Sequence, residues 1–240
     1  MKFLHIAGVL ALGFFLSGCE SDHDKADALR EILEQASHAT SPYEGAMLLQ
    51  DAHLHYYPTD YAKSNKNWDE VQGVDIEIRR KRDDLLVQSI QQNDIRGAKL
   101  VFKSSADDAS RRAASAVLAH ADKADASAQW LELAGDLTFE GGYTPTDYER
   151  SFNYLARAWQ QGDISAASTA RSIFVKLGDR HNLYLWQLRC MNECGFYMDE
   201  EKINLSPKEM ISLQKMATQK TALLADGDYF QIYQPKPNNR

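Results

Sequence analysis

Apolar residues along this chain recur at intervals of three and four, in blocks separated by glycine, proline and polar residues. That period is typical of amphipathic helices, and no series of alternating apolar and polar segments indicates a sheet. The pattern predicts helices over the ranges 26–35, 43–55, 128–139, 147–161, 164–177, 183–191 and 207–224, and a further helical region that begins near residue 74. We therefore predict an all-α fold.

The clearest unit is the stretch 130–167, which predicts two helices joined by a short turn. The first helix should end near Gly141, because glycine readily adopts the positive φ that closes many helices. Thr146, followed three residues later by Glu149, predicts a capping box at the start of the second helix. One apolar stripe of that helix contains Tyr148, Phe152, Leu155 and Trp159. A single hairpin buries such a stripe only by stacking on other hairpins.

This stretch resembles a Sel1-like repeat, a variant of the tetratricopeptide hairpin that is common in bacterial envelope proteins. The positions typical of the family are held, without a gap, by Gly135, Gly141, Pro145, Asp147, Tyr148, Glu149, Tyr154, Ala158, Gln161, Gly162 and Ala166. Tyr143, Ser151 and Trp159 depart from the family pattern, which has a glycine and two alanines there. The resemblance implies a right-handed solenoid of helical hairpins that binds proteins. It implies no catalytic residues, because the typical positions are packing positions.

An internal echo extends the repeated region, since residues 91–98 parallel residues 160–167 and residues 121–128 resemble a degenerate third copy. We predict the following division of the chain: a signal peptide 1–18, a tether 19–25, N-terminal helices and a loop 26–73, Sel1-like helical repeats 74–180, and C-terminal helices with a tail 181–240. The polar stretch 57–73 is predicted to be the loop.

The N-terminus predicts a lipid anchor. Lys2 precedes an apolar run, 6–16, that is too short to span a bilayer as a helix. The run ends in small residues before Cys19, which resembles the lipobox of bacterial lipoproteins, so Cys19 would become the acylated first residue. An ordinary signal peptide with a chance cysteine is the alternative. The mature protein should face the periplasm, and Glu20 after the cysteine favours the outer membrane.

Cys190 and Cys194 are the remaining cysteines. Outside the cytoplasm they could form a disulfide, although cysteines one helical turn apart need some bending of the backbone to bridge. The sequence leaves the bridged and the reduced state open. A catalytic thiol pair is disfavoured, because the spacing is not that of thioredoxin-type sites.

The formal net charge of −7 and the absence of a basic stripe argue against nucleic-acid binding. The single basic run, Arg79 to Arg82, lies among acidic residues and predicts a solvated, salt-bridged face. Contact with anionic lipid headgroups or an acidic partner is the alternative for this run. Acidic neighbours such as Asp83 and Asp84 likewise predict solvated surface.

No motif typical of catalysis or phosphate binding occurs, so we predict a protein that is not an enzyme and has no cofactor. His53 and His55 are close in sequence but would point to different sides of a helix, and we predict no metal site. The aromatic residues say more about function than the histidines do. Most should be core, but those at a surface would anchor a protein partner, and the candidates are Tyr143, Tyr148, Trp159 and Tyr184.

These features favour a protein-binding envelope lipoprotein without catalytic activity. An immunity protein that neutralises a secreted toxin or effector acting in the periplasm is the preferred hypothesis. An envelope adaptor or scaffold for cell-wall or signalling proteins is the first alternative. A hydrolase of peptidoglycan or lipid is the second, since sequence cannot show whether two carboxylates face one another across a cleft.

Overall fold

The computed structural model describes residues 22–56, 68–191, 204–225 and Phe230. Every regular element in these ranges is an α-helix, which confirms the all-α prediction. The helices are α1 (Asp22–Ser37), α2 (Pro42–Tyr56), α3 (Trp68–Gln91), α4 (Ile95–Ser104), α5 (Asp107–Ala121), α6 (Ala128–Glu140), α7 (Tyr148–Gln160), α8 (Ala166–Leu177), α9 (Arg180–Arg189) and α10 (Pro207–Ala217).

The helices pack mainly against their neighbours in sequence. Each of α1 to α9 contacts the next helix, and α1 also contacts α3, α3 contacts α5, and α6 contacts α8. The buried apolar side chains form one connected cluster that extends from Leu29 in α1 to Leu213 in α10. The hydrophobic core therefore runs along the series of helices, and each pair of consecutive helices contributes to it.

Helices α6 and α7 form the closest hairpin. A methyl group added at Gly135 of α6 would lie only 2.5 Å from Leu155 Cγ of α7, so glycine permits this approach. Ser151 of α7 stands where Sel1-like repeats have alanine. Its hydroxyl is fully buried and donates a 2.7 Å hydrogen bond to the Gly135 carbonyl. The small side chains thus bring the two backbones together, and the Ser151 hydroxyl buried between them is hydrogen-bonded.

The predicted ends of this hairpin are partly correct. Gly141 has a φ of 75° and caps α6, as expected. The N-cap of α7 is Asp147, whose carboxylate accepts a 3.0 Å hydrogen bond from the Arg150 amide, so the prediction of Thr146 as the cap is wrong. Aspartate and threonine are both good caps, and the tertiary packing decides which one takes the extended backbone conformation.

The two copies of the internal echo share one backbone geometry. Asn93 and Gly162 occupy equivalent places and both have positive φ, 69° and 100°. The next residue in each copy donates its amide to the helix that has just ended, Asp94 to the Ser89 carbonyl at 2.9 Å and Asp163 to the Ala158 carbonyl at 3.1 Å. The same turn therefore connects α3 to α4 and α7 to α8.

Several helix ends differ from the predictions. Helix α1 already begins at Asp22, inside the segment predicted to be a tether, and α3 begins at Trp68, inside the stretch predicted to be a loop. Residues 57–67 of that stretch lie outside the described residues. Helix α10 starts with the predicted capping box of Ser206 and Glu209. It ends at Ala217, because the carbonyls that follow bond to side chains of α9.

The basic run on α3 is not simply a solvated face. Arg82 and Asp83 are buried, with 4 % and 6 % of their surface exposed, whereas Arg80 is exposed. Asp83 accepts a 2.7 Å hydrogen bond from Arg82 through Oδ1, and a 3.1 Å bond from the Ala106 amide through Oδ2. The Asp83 carboxylate therefore ties the backbone of the N-cap residue of α5, Ala106, to helix α3.

Candidate protein-interaction surface

Two of the predicted partner-binding residues lie at the turn between α6 and α7. The Tyr143 ring lies 5.6 Å from the Phe102 ring of α4, and the Tyr148 ring lies 5.9 Å from the Phe139 ring of α6. All four rings are partly exposed, and we call them the turn aromatic cluster. Aromatic rings with an apolar body and a polar tip are the usual anchors of protein interfaces.

Hydrogen bonds hold this turn in one conformation. The Asp147 amide donates to the Thr138 carbonyl at 2.9 Å, and the Thr144 hydroxyl donates to the Leu137 carbonyl at 2.9 Å. A side chain added at Gly141 would collide with Thr146, so the turn is tightly packed around that glycine. A partner would therefore meet tyrosines that lose little conformational freedom on binding.

The other two predicted residues, Trp159 and Tyr184, lie in the core with 8 % and 4 % of their surface exposed. The Trp159 ring lies 5.4 Å from the Trp186 ring, and the Tyr184 hydroxyl accepts a 3.3 Å hydrogen bond from Gln214. Trp159 of α7 is covered by Trp186 and Arg189 of α9, and Tyr184 lies where α9 contacts α10. In this conformation neither is available to a partner.

The predicted lipidation site, Cys19, lies outside the described residues. Cys190 is fully buried and disulfide-bonded. Its predicted partner Cys194 lies outside the described residues, so the pairing of these two cysteines stays a prediction.

Of the two histidines considered in the sequence, His53 has a described side chain, and it lies against a carboxylate. His53 Nδ1 lies 2.6 Å from Asp75 Oδ1, and the buried Asp75 carboxylate also accepts a hydrogen bond from Arg79 at 3.0 Å. The side chain of His55 lies outside the described residues. Within the described ranges, no three His, Cys, Asp or Glu side chains come together in a way that could hold a metal ion.

A second surface feature, which the sequence reasoning missed, is acidic. Glu132, Asp136 and Glu140 follow one another at intervals of four along α6, and Asp163 lies near them at the start of α8. We call these four residues the acidic face. Their spacing along α6 was the signal that could have revealed it, since residues four apart share one side of a helix.

Asp136 is the member of the acidic face whose charged form is disfavoured by its surroundings. The pKa of Asp136 is raised from 3.8 to about 6, chiefly by burial and also by the three neighbouring carboxylates, whereas a hydrogen bond from Thr169 acts to lower it. Its Oδ1 atom is buried and has no hydrogen-bond partner among the described residues. A buried carboxylate with incomplete hydrogen bonding costs stability.

A groove of about 310 Å³ lies along α7, beside the end of α5. The Tyr154 hydroxyl donates a 2.5 Å hydrogen bond to Asp122 Oδ1 and accepts one from Arg150 Nε at 2.8 Å. Arg150 also donates to the Asp122 carboxylate at 3.0 Å, and burial raises the pKa of Tyr154. Arg150, Tyr154 and Asp122 are hydrogen-bonded to one another and hold the end of α5 against α7. We therefore regard this groove as a structural junction between the two helices.

In the described part of the chain, no helix combines the length and the apolar character that crossing a bilayer requires.

Comparisons of the chain with known families, with curated proteins and with solved structures return no match.

Proposed function

We propose that this protein is a right-handed solenoid of Sel1-like, tetratricopeptide-like helical hairpins whose function is to bind another protein. The observation that carries the proposal is the repeated junction, in which Asn93 and Gly162 take the same backbone conformation between stacked helices. Contacts restricted largely to neighbouring helices also support it, because each repeat of a solenoid packs only on the repeats beside it. Such arrays serve mainly as extended binding surfaces.

The partner should carry a basic surface with an apolar or aromatic side chain at its edge. The acidic face runs along α6 towards Glu140, which directly precedes the turn that carries Tyr143 and Tyr148. A lysine or arginine from a partner would supply Asp136 with the counter-charge that it lacks within the described residues. Opposite charges of this kind speed association and select partners, and the nearby tyrosines would supply anchors.

The proposed location is the periplasmic side of a membrane, most simply the outer membrane, through acylation of Cys19. Three acyl chains anchor a protein stably, since each buried methylene contributes roughly 0.8 kcal/mol. Helix α1 begins at Asp22, so a chain acylated at Cys19 would hold the helical body close to the lipid surface. A membrane-bound inhibitor would meet an effector where that effector enters the periplasm.

Within this setting we propose an immunity protein that neutralises a secreted effector acting in the periplasm. The proposal rests on an acidic, non-catalytic binding surface and on the predicted anchor. Growth competition tests it: a strain that lacks the gene should be killed by a neighbour that delivers the matching effector, and the gene should restore survival. Equal survival with and without the gene would refute the immunity role.

Affinity capture from envelope extracts separates this role from that of an adaptor. The wild-type protein should retain a basic effector, and the double variant Glu132→Gln/Glu140→Gln should lose it. The matched control is Asp107→Asn/Asp108→Asn, which removes two exposed carboxylates of α5 and should still capture the partner. Recovery of resident cell-wall or signalling proteins in place of an effector would favour the adaptor. Equal capture by both double variants would exclude the acidic face as the contact surface.

A further inference from the structure

Helices α4 and α6 lie side by side and point in the same direction. Where they begin, the Trp130 indole of α6 donates a 2.8 Å hydrogen bond to the side chain of Asn93, just before α4. Where they end, the Tyr143 ring, just after α6, lies 5.6 Å from the Phe102 ring of α4. One contact at each end therefore defines a parallel pair. Neighbouring helices have axes roughly 10 Å apart, so their exposed sides adjoin, and we call these sides the α4–α6 face.

The α4 side of this face is cationic. Lys99 precedes Phe102 by three residues, so both side chains lie on the side of α4 that is directed towards α6. Lys103 follows Lys99 by about one helical turn, and both lysines are exposed. Among the side chains that the structure describes, neither lysine has an ion-pair partner. Two like charges in this arrangement repel each other, and a carboxylate from outside would relieve that repulsion.

The α6 side of the face is anionic. Glu132, Asp136 and Glu140 of the acidic face follow one another at intervals of four residues. Within the described ranges, no cation pairs with them. Burial, and after it repulsion from Glu132 and Glu140, raises the pKa of Asp136. Two adjacent parallel helices therefore carry uncompensated rows of opposite charge.

An apolar position lies between the two rows. Leu133 stands three residues after Trp130, so it lies on the side of α6 that faces α4, and it is half-buried. The turn aromatic cluster continues the apolar surface at the ends of both helices, because Phe102 and Tyr143 belong to it. Apolar positions flanked by rows of charge are the pattern by which helices select one another in coiled coils.

We propose that the α4–α6 face binds one amphipathic helix of the partner protein. That helix carries glutamate or aspartate on the flank above α4, lysine or arginine on the flank above α6, and apolar residues between them. A strand directs only every second side chain to one side and so presents a single row, whereas a helix about 10 Å wide presents two flanks. The inference rests on the proposed protein-binding function, and it adds an acidic row to the basic surface proposed there.

The probe is a labelled synthetic peptide of about 20 residues, long enough to form a helix. This mixed peptide has leucine at its apolar positions, glutamate along one flank and lysine along the other, and a second peptide has lysine on both flanks. In fluorescence anisotropy at low ionic strength, the wild-type protein should bind the mixed peptide about tenfold more tightly than the all-lysine peptide. The net charge of −7 favours the all-lysine peptide at long range, so the opposite preference requires a cation at the contact.

A charge reversal locates that cation. Lys99→Glu/Lys103→Glu makes both sides of the face acidic, so this variant should bind the all-lysine peptide about tenfold more tightly than the mixed peptide. The matched control Lys208→Glu/Lys215→Glu makes the same change of charge at exposed positions of α10 and should keep the wild-type preference. If the reversed variant does not fold, Lys99→Ala/Lys103→Ala serves, and its preference for the mixed peptide should disappear.

Three results would overturn the proposal: no binding of the mixed peptide to the wild type, equal or tighter binding of the all-lysine peptide, or an unchanged preference in the Lys99 and Lys103 variants. These results concern the shape of the contact and leave the growth competition untouched. Loss of protection in that competition, with the peptide preferences as expected, would refute the immunity role alone.

Discussion

Replacing Asp136 with asparagine should stabilise the protein, and the gain should depend on pH. The pKa of Asp136 is raised from 3.8 to about 6, chiefly by burial, so the folded protein binds the proton more tightly than the unfolded chain does. Stability therefore declines as pH rises from below about 4 through about 6, and the full cost is present above that range. Asparagine removes the charge and can still accept the hydrogen bond from Thr169.

The size of the effect follows from the shift. Each pKa unit corresponds to about 1.4 kcal/mol, so two units set an upper limit near 3 kcal/mol at neutral pH. Because Asp136 is not completely buried, we expect Asp136→Asn to raise the free energy of unfolding by about 2 kcal/mol near pH 7.5. Near pH 4.5 the gain should fall below about 1 kcal/mol, because the folded carboxylate is then largely protonated.

Urea denaturation at both pH values measures this difference. Asp107→Asn is the matched control, since Asp107 is an exposed carboxylate, and it should change stability by less than about 0.5 kcal/mol at either pH. An equal gain at both pH values would show that packing, and not the charge, limits stability at this position. A loss of stability near pH 7.5 would refute the electrostatic reasoning.

Three further substitutions test a close helix contact, a buried ion pair and a helix cap. Gly135→Ala should cost about 1–3 kcal/mol in urea denaturation, because the added methyl group would lie 2.5 Å from Leu155 Cγ, and a second substitution Leu155→Ala should cost less in that background than in the wild type. Asp83→Asn should cost about 3 kcal/mol by the same measurement, since it removes the charge from the buried carboxylate to which Arg82 donates; an effect below about 0.5 kcal/mol would contradict the buried pair. Ser206→Ala should cost about 1 kcal/mol locally and speed amide exchange at the start of α10, through loss of the capping box, and unchanged exchange there would argue against the cap.

The features that were predictable from sequence depend on residues close together in the chain. The helical character of the repeated region follows from apolar spacing, and the end of α6 follows from Gly141. The start of α10 follows from Ser206 and Glu209, three residues apart. Even here, the predicted cap of α7, Thr146, was wrong by one residue, because aspartate and threonine both suit a cap chemically and the structure uses Asp147.

From the amino-acid sequence come the all-α class, the end of α6, the start of α10 and the repetition of residues 91–98 at 160–167. Which side chains the neighbouring helices cover depends on how distant segments of the chain pack. That packing buries Trp159 beneath Arg189, and it collects the acidic face around Asp136. The physical reason is that periodicity gives each helix an apolar side, whereas burial and charge environment depend on segments far away in the chain that pack against it.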